Sequence, residues 1–210
     1  MADLAGRWRA LCGRLHLPAD LNQLDWLQSA HKVPPRAYHN LDHVLACLAE
    51  FDRVRHLAEK PDAVEVALWF HDSVYNPRYA ENEEASAIMA KGWLDDSGAP
   101  AELGLAVAEL IFKTRHDLGD PPETVDQKLI VDVDLSILGQ AAEVFDEYEN
   151  KIREEYDWVD WEVYRVRRPE ILGRFLERDR IYFTSEFRDR YEAAARSNLK
   201  RSIQRFESST

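Results

Sequence analysis

The chain has 210 residues, 45% of them apolar and 31% charged, with a formal net charge of −12. That length buries a substantial core without disulfides or a structural metal, and the balance belongs to a globular chain, not a disordered or fibrous one. The acidity argues against broad nucleic-acid binding, no run of about 18 apolar residues is present to span a membrane, and the N-terminal stretch lacks the apolar segment and cleavage site of a secretory signal.

These traits predict a cytoplasmic, single-domain protein. Cys12 and Cys47 have no zinc-type or redox spacing, read as reduced thiols, and are given no function. Residues 160–210 carry twelve Lys/Arg and nine Asp/Glu, a balance of +3 that leaves −15 on the remainder. A weakly basic tail of this kind reads as a solvated helix face.

Apolar residues recur with a helical period almost throughout, and no stretch alternates as a strand would, so the expected fold is all-α, a helical bundle. Pro34 and Pro35 break the chain before "RAYHNLDHVLACLAEFDRVRHLA", where Asn40 is the expected N-cap and Leu41, Val44, Leu48 and Phe51 share a face. Pro61 opens the next helix, whose stripe of Val64, Leu68, His71 and Tyr75 runs to Asn76 and Pro77. A helix over 81–95 is stopped near Gly98, and another runs from Pro100 to about His116. A fifth covers roughly 123–138 and is closed by Gly139. The rest reads as helices over about 141–157, 160–179 with a break before Pro169, and 185–206 with Thr184 as N-cap.

Three of these apolar helices carry metal-ligand residue types on faces that should be buried. His43 falls among Val44, Cys47, Leu48 and Phe51. His71 occupies the core stripe of its helix, with Asp72 about 100° around from it. "KLIVDVDLSILG" sets Asp132 and Asp134 inside an apolar run. A single interior histidine needs only a backbone carbonyl, but several such groups together are expensive to bury unless one partner satisfies them all. A divalent cation would, and a mixed nitrogen and oxygen set suits manganese, iron, cobalt, nickel or zinc better than magnesium.

The order His43, then His71 and Asp72 side by side, then an aspartate in an apolar helix resembles the signature of the HD-domain superfamily of metal-dependent phosphohydrolases. "YHNLDHV", "FHDSVY", "NEEASA", "DVDLSILG", "YENKIREEY", "FLERDRIY" and "EAAARSNL" extend the resemblance from about residue 36 to 199, and are similar to a bacterial subgroup of predicted HD phosphohydrolases. The resemblance implies an HD-type fold, with a metal-site core at about 36–139 and the helices of 140–207 packing on it. It implies a metal held by His43, His71, Asp72 and an aspartate of the fifth helix. Asp134 is favoured because "VDLS" is similar to the Ala-Asp-x-x element of many relatives, which leaves Asp132 to orient a ligand or hold water. The implied activity is hydrolysis of a phosphoester or phosphoanhydride in a small, nucleotide-like molecule.

Phosphoryl transfer also needs cations, and Arg36, Lys113, Arg115 and Arg78 are the candidates for binding substrate. Many single-metal relatives have a glutamate shortly after the His-Asp pair, where "HDSVYNP" offers Ser73 and Tyr75. Glu83 in "ENEEASA" is the substitute expected to move protons, while Glu84 reads as complementing the helix dipole. His116 corresponds to an extra histidine by which some relatives bind a second metal or the phosphate. Asp117, beside it, reads as part of a helix end. His39, four residues before His43, is a candidate to touch substrate, although Asn40 as N-cap would leave it outside the helix.

Two rival readings use the same residues. A di-iron oxygenase would need His39, His116 and Asp132 to join the ligands already named, and a non-enzymatic module would use the metal only to pin helices. Trp158, Trp161, Tyr164, Phe175 and Tyr182 read as core or as a contact between two copies in a homodimer, not as a surface for stacking bases.

Overall fold

The computed structural model describes residues 3–34, 36–116 and 121–208. The fold is all-α, and no strand occurs among the described residues. No helix there is long and apolar enough to cross a membrane. The chain divides into two compact units, Met1–Ile130 and Val131–Thr210.

The first unit contains α1 (Leu4–Arg14), α2 (Leu21–Ala30), α3 (Leu41–Val54), α4 (Pro61–Phe70), α5 (Asn82–Asp96) and α6 (Ala101–Lys113). Side-chain caps begin the first three. Asp3 accepts from the Gly6 amide, Asp20 from Asn22, and Asn40 from Asp42 and His43, each satisfying an amide with no partner inside its helix. α4 is the central helix: every residue from Ala63 to Phe70 is buried, as expected of a helix apolar on all sides. It packs against α1, α3, α5 and α6.

Trp8, Trp69 and Trp93 meet at this centre, with ring centroids 5.7 and 4.9 Å from Trp8. The one buried charge of α4, Glu65, accepts from Arg7 (2.8 Å), Arg14 (2.6 Å) and Arg55. Those donors compensate the desolvation of a carboxylate that is 2% exposed.

The helix expected to reach Tyr75 ends instead at Phe70, with His71 as its C-cap. Another turn would require the Asp72 and Ser73 carbonyls to accept from amides further along, but Arg36 donates to both. The Asn76 amide turns away to the Asn82 side chain (2.8 Å), and the Ser86 hydroxyl bonds the amide and carbonyl of Val74. Side chains from other segments thus displace the helical ladder.

α7 (Val125–Asp134) contains the division between the units. It stops at Asp134 and tightens into a 3-10 turn over Leu135–Gly139, short of the continuous helix expected to Leu138. The second unit continues with α8 (Ala142–Glu155), α9 (Trp161–Glu177) and α10 (Ser185–Ser208). Gly139 is needed for proximity: a Cβ there would lie 2.5 Å from Tyr191 Cβ and 2.8 Å from its carbonyl oxygen. Close packing of the turn on α10 also lets Asn198 donate to the Leu138 and Gln140 carbonyls, both at 2.9 Å.

The break expected before Pro169 does not occur, and α9 runs through it. Tyr164, Arg168 and Leu172 are buried on one stripe either side of the proline, and their packing outweighs the roughly 3 kcal/mol cost of a mid-helix proline. Tyr164 and Tyr182 belong to the core of this unit, whereas Trp158 and Trp161 are 43% and 45% exposed.

Candidate metal centre

Two helix ends bring the histidines together. The Asn40 cap places His43 in the first turn of α3, facing inward with Val44 and Cys47. His71 closes α4, and its Nδ1 lies 2.9 Å from the Leu68 carbonyl. A carbonyl can only accept, so Nδ1 carries the proton and Nε2 presents its lone pair. That Nε2 stands 3.1 Å from Nε2 of His43, with the two residues 1% and 6% exposed.

Asp72 Oδ2 lies 3.3 Å from His71 Nε2 and 3.6 Å from His43 Nε2. Cys47 Sγ, one turn beyond His43, is 3.7 Å from each of the His43 ring nitrogens. His43, Cys47 and His71 each offer a ligand atom, and these atoms all lie within 4.8 Å of one another.

Nitrogen and oxygen ligands about 2.1 Å from one ion stand roughly 3.0–3.5 Å apart. The His43–His71 and His71–Asp72 separations fall within that spacing, and the 3.6 Å from Asp72 to His43 lies just beyond it. Two ring nitrogens and a buried carboxylate oxygen form a donor set that a divalent cation satisfies, and both histidines, with Cys47, belong to a group that could hold a metal.

The other residues singled out in the sequence take varied places. Glu83 sits half-buried in the first turn of α5, while Glu84 is exposed. Burial pushes the Glu83 carboxyl above the usual range, and the field of Asp72 adds to that push while Arg115 and His116 oppose it. Asp72, Glu83, Arg115 and His116 are therefore electrostatic neighbours. Lys113 ends α6, and it, Arg115 and His116 are partly exposed. Asp117 lies outside the described residues.

Arg36 does structural work. It donates to the carbonyls of Asp72 (2.6 Å), His39 (3.0 Å) and Ser73 (3.2 Å), which ties the segment before α3 to the His-Asp turn. Its guanidinium lies 5.4 Å from the Tyr75 ring centre. His39 stands outside α3, before the Asn40 cap, and its ring stacks on Tyr75 at 4.4 Å. Arg78 is exposed on the turn between α4 and α5.

In the second unit Asp134, the last residue of α7, is half-buried. Asp132 is fully buried and accepts from the amides of Phe183 and Thr184 and from the Thr184 hydroxyl, each at 2.7 Å. These bonds fasten the start of α10. Burial pushes its carboxyl up to about 6, against the pull of those three donors.

Two nearby residues escaped the sequence reading. Cys47 was legible in principle, since a residue four positions after an inward-facing helical histidine shares its face. His31 follows α2, is 1% exposed and bonds the Leu27 carbonyl through Nδ1 at 2.8 Å; burial pulls its pKa down to about 4, and the fields of Arg36, Asp72 and His71 reach it. Comparison with protein-family models, curated proteins and solved structures finds no match for this chain.

Proposed function

We propose that the chain is a metal-dependent phosphohydrolase of the HD type, acting on a phosphoester or phosphoanhydride of a small, nucleotide-like molecule. The observation that supports this most is the facing pair of His43 and His71 Nε2 atoms with Asp72 Oδ2 beside them. The ordered motifs from "YHNLDHV" to "EAAARSNL" supply the family and the reaction. His43, His71 and Asp72 hold the ion, and the resemblance adds Asp134 as a further ligand.

When bound, a divalent ion of the manganese-to-zinc series supplies a water of lowered pKa and polarises a phosphoryl oxygen. The protein does the rest. Glu83, with its carboxyl held above the usual range, keeps a proton nearer to neutral pH than an exposed glutamate does and can give it to the departing oxygen. Arg115 places positive charge in the same field, where it offsets the negative charge of a phosphoryl group, with His116 next to it in the chain. His39, stacked on Tyr75, offers a ring edge to substrate. Arg36 serves by holding the His-Asp turn.

The test is to purify the protein without chelators, assay bound metals, and screen phosphate release from a broad panel of phosphorylated metabolites with manganese, cobalt, nickel and magnesium. The expected result is about one transition-metal ion per chain and release that His71→Ala abolishes. Glu83→Gln is expected to lower turnover about 10²-fold or more while metal content stays unchanged. Bound metal without phosphate release from any panel member would leave a metal-stabilised module in place of an enzyme.

A further inference from the structure

We infer that Cys47 is itself a ligand of this metal, and that the site therefore selects a thiolate-binding ion, zinc, cobalt or ferrous iron, over manganese and magnesium. The inference rests on the metal reading above and goes beyond it, because neither the ordered His-Asp signature nor the chemistry of phosphate transfer calls for sulfur.

Three observations carry it. His43 and Cys47 are separated by one turn of α3, so both side chains leave the same buried face and can close a chelate without moving the backbone. The spacing suits one ion. A nitrogen at about 2.05 Å and a sulfur at about 2.3 Å from a tetrahedral centre stand roughly 3.6 Å apart, and two such nitrogens roughly 3.4 Å apart. The two Nε2 atoms stand 3.1 Å apart, and Sγ lies beside the His43 ring, 3.7 Å from both of its nitrogens, so the thiol would turn about its χ1 to meet an ion held at Nε2. Lastly, Cys47 Sγ is gathered with both histidines while being 2% exposed. Cys12, the other cysteine, is buried beside α1 and belongs to no such group.

Binding forms a metal–sulfur bond and releases the thiol proton to solvent, with no change in oxidation state. Soft thiolate favours zinc, cobalt and iron, whereas manganese and magnesium favour oxygen donors. An imidazole, imidazole, carboxylate and thiolate set also leaves room for a water or a phosphoryl oxygen if the ion expands its coordination.

Cobalt(II) substitution of the full-length protein tests this by absorption, independently of turnover. The expected spectrum shows visible d–d bands together with a near-ultraviolet sulfur-to-cobalt charge-transfer band. In Cys47→Ser the charge-transfer band disappears while d–d bands remain, and the preference for zinc over manganese in competition falls at least about tenfold. Cys12→Ser keeps the wild-type spectrum. Wild-type d–d bands without charge transfer, or a charge-transfer band that survives Cys47→Ser, would overturn the inference and leave the histidine and carboxylate site standing. Failure of the wild-type chain to bind cobalt at all would overturn both readings. The wild-type spectrum alone decides the matter should the serine variant not fold.

Discussion

His31 and Arg36 show how single side chains near the metal cluster set testable properties. His31 is buried with its Nδ1 proton on the Leu27 carbonyl, and its pKa falls from an ordinary 6.5 to about 4. Between those values the unfolded chain takes up a proton that the folded chain refuses. Stability from this group is therefore intact above pH 6.5 and lost as the pH falls toward 4. In chelator, the urea midpoint should drop from pH 7 to pH 5 by more in the wild type than in His31→Gln, whose amide can still donate to Leu27. Equal drops would mean that His31 does not titrate this way. Arg36 makes a different kind of contribution. Its three bonds to the Asp72, His39 and Ser73 carbonyls need a planar fork, which a lysine ammonium cannot reproduce. Arg36→Lys should cost about 2 kcal/mol in chelator and weaken cobalt binding about 10-fold or more by loosening the turn that carries His71 and Asp72. A variant that binds cobalt as tightly as the wild type would show that the turn holds itself.

At the scale of elements, the helix starts after Pro35 were legible, as was the stop of α5 near Gly98, but the stop of α4 was not. Asn40 and Pro61 announce α3 and α4 locally, because a cap or a first-turn proline acts within a few residues. The end of α4 depends on Arg36, which reaches carbonyls 36 and 37 positions away, and no window of the sequence contains both. The passage of α9 through Pro169 has a similar cause, since packing of its buried stripe decides it. Asp132 was recognised as an anomalous buried carboxylate, but its partners Phe183 and Thr184 lie some fifty residues on, so it read as part of the metal chemistry. His43 and His71 were legible as buried polar groups because their cost of burial shows in the pattern itself. Two substitutions test the elements of the second unit. Asp132→Asn keeps one acceptor and turns an amide group toward backbone N–H donors, and should cost about 3 kcal/mol by urea denaturation. Gly139→Ala sets a methyl 2.5–2.9 Å from Tyr191 Cβ, Cα and carbonyl oxygen, mostly backbone that cannot rotate away, and should cost about 1–3 kcal/mol. An alanine variant as stable as the wild type would show that the turn can move off α10.

For the whole molecule, a cluster that could hold a metal gives stability a dependence on that ion. An ion that binds the assembled His43, His71 and Asp72 set, and binds the unfolded chain far more weakly, stabilises the native state by mass action: about 4 kcal/mol when present at a thousand times its dissociation constant. For a chain of this length each kcal/mol moves the melting temperature by roughly 2–4 °C. Dialysis against chelator should therefore lower the calorimetric melting temperature by about 10 °C, and zinc or cobalt should restore it, with manganese less effective at equal concentration. His71→Ala loses one ligand and the Nδ1 bond to Leu68 together, so it should melt low and respond little to either chelator or metal. The difference in metal response between wild type and variant, not the melting temperature of either, is the quantity that locates the ion. If His71→Ala regained stability with zinc as fully as the wild type, the stabilising ion would be bound elsewhere in the chain, and the two facing imidazoles would be joined by an ordinary hydrogen bond.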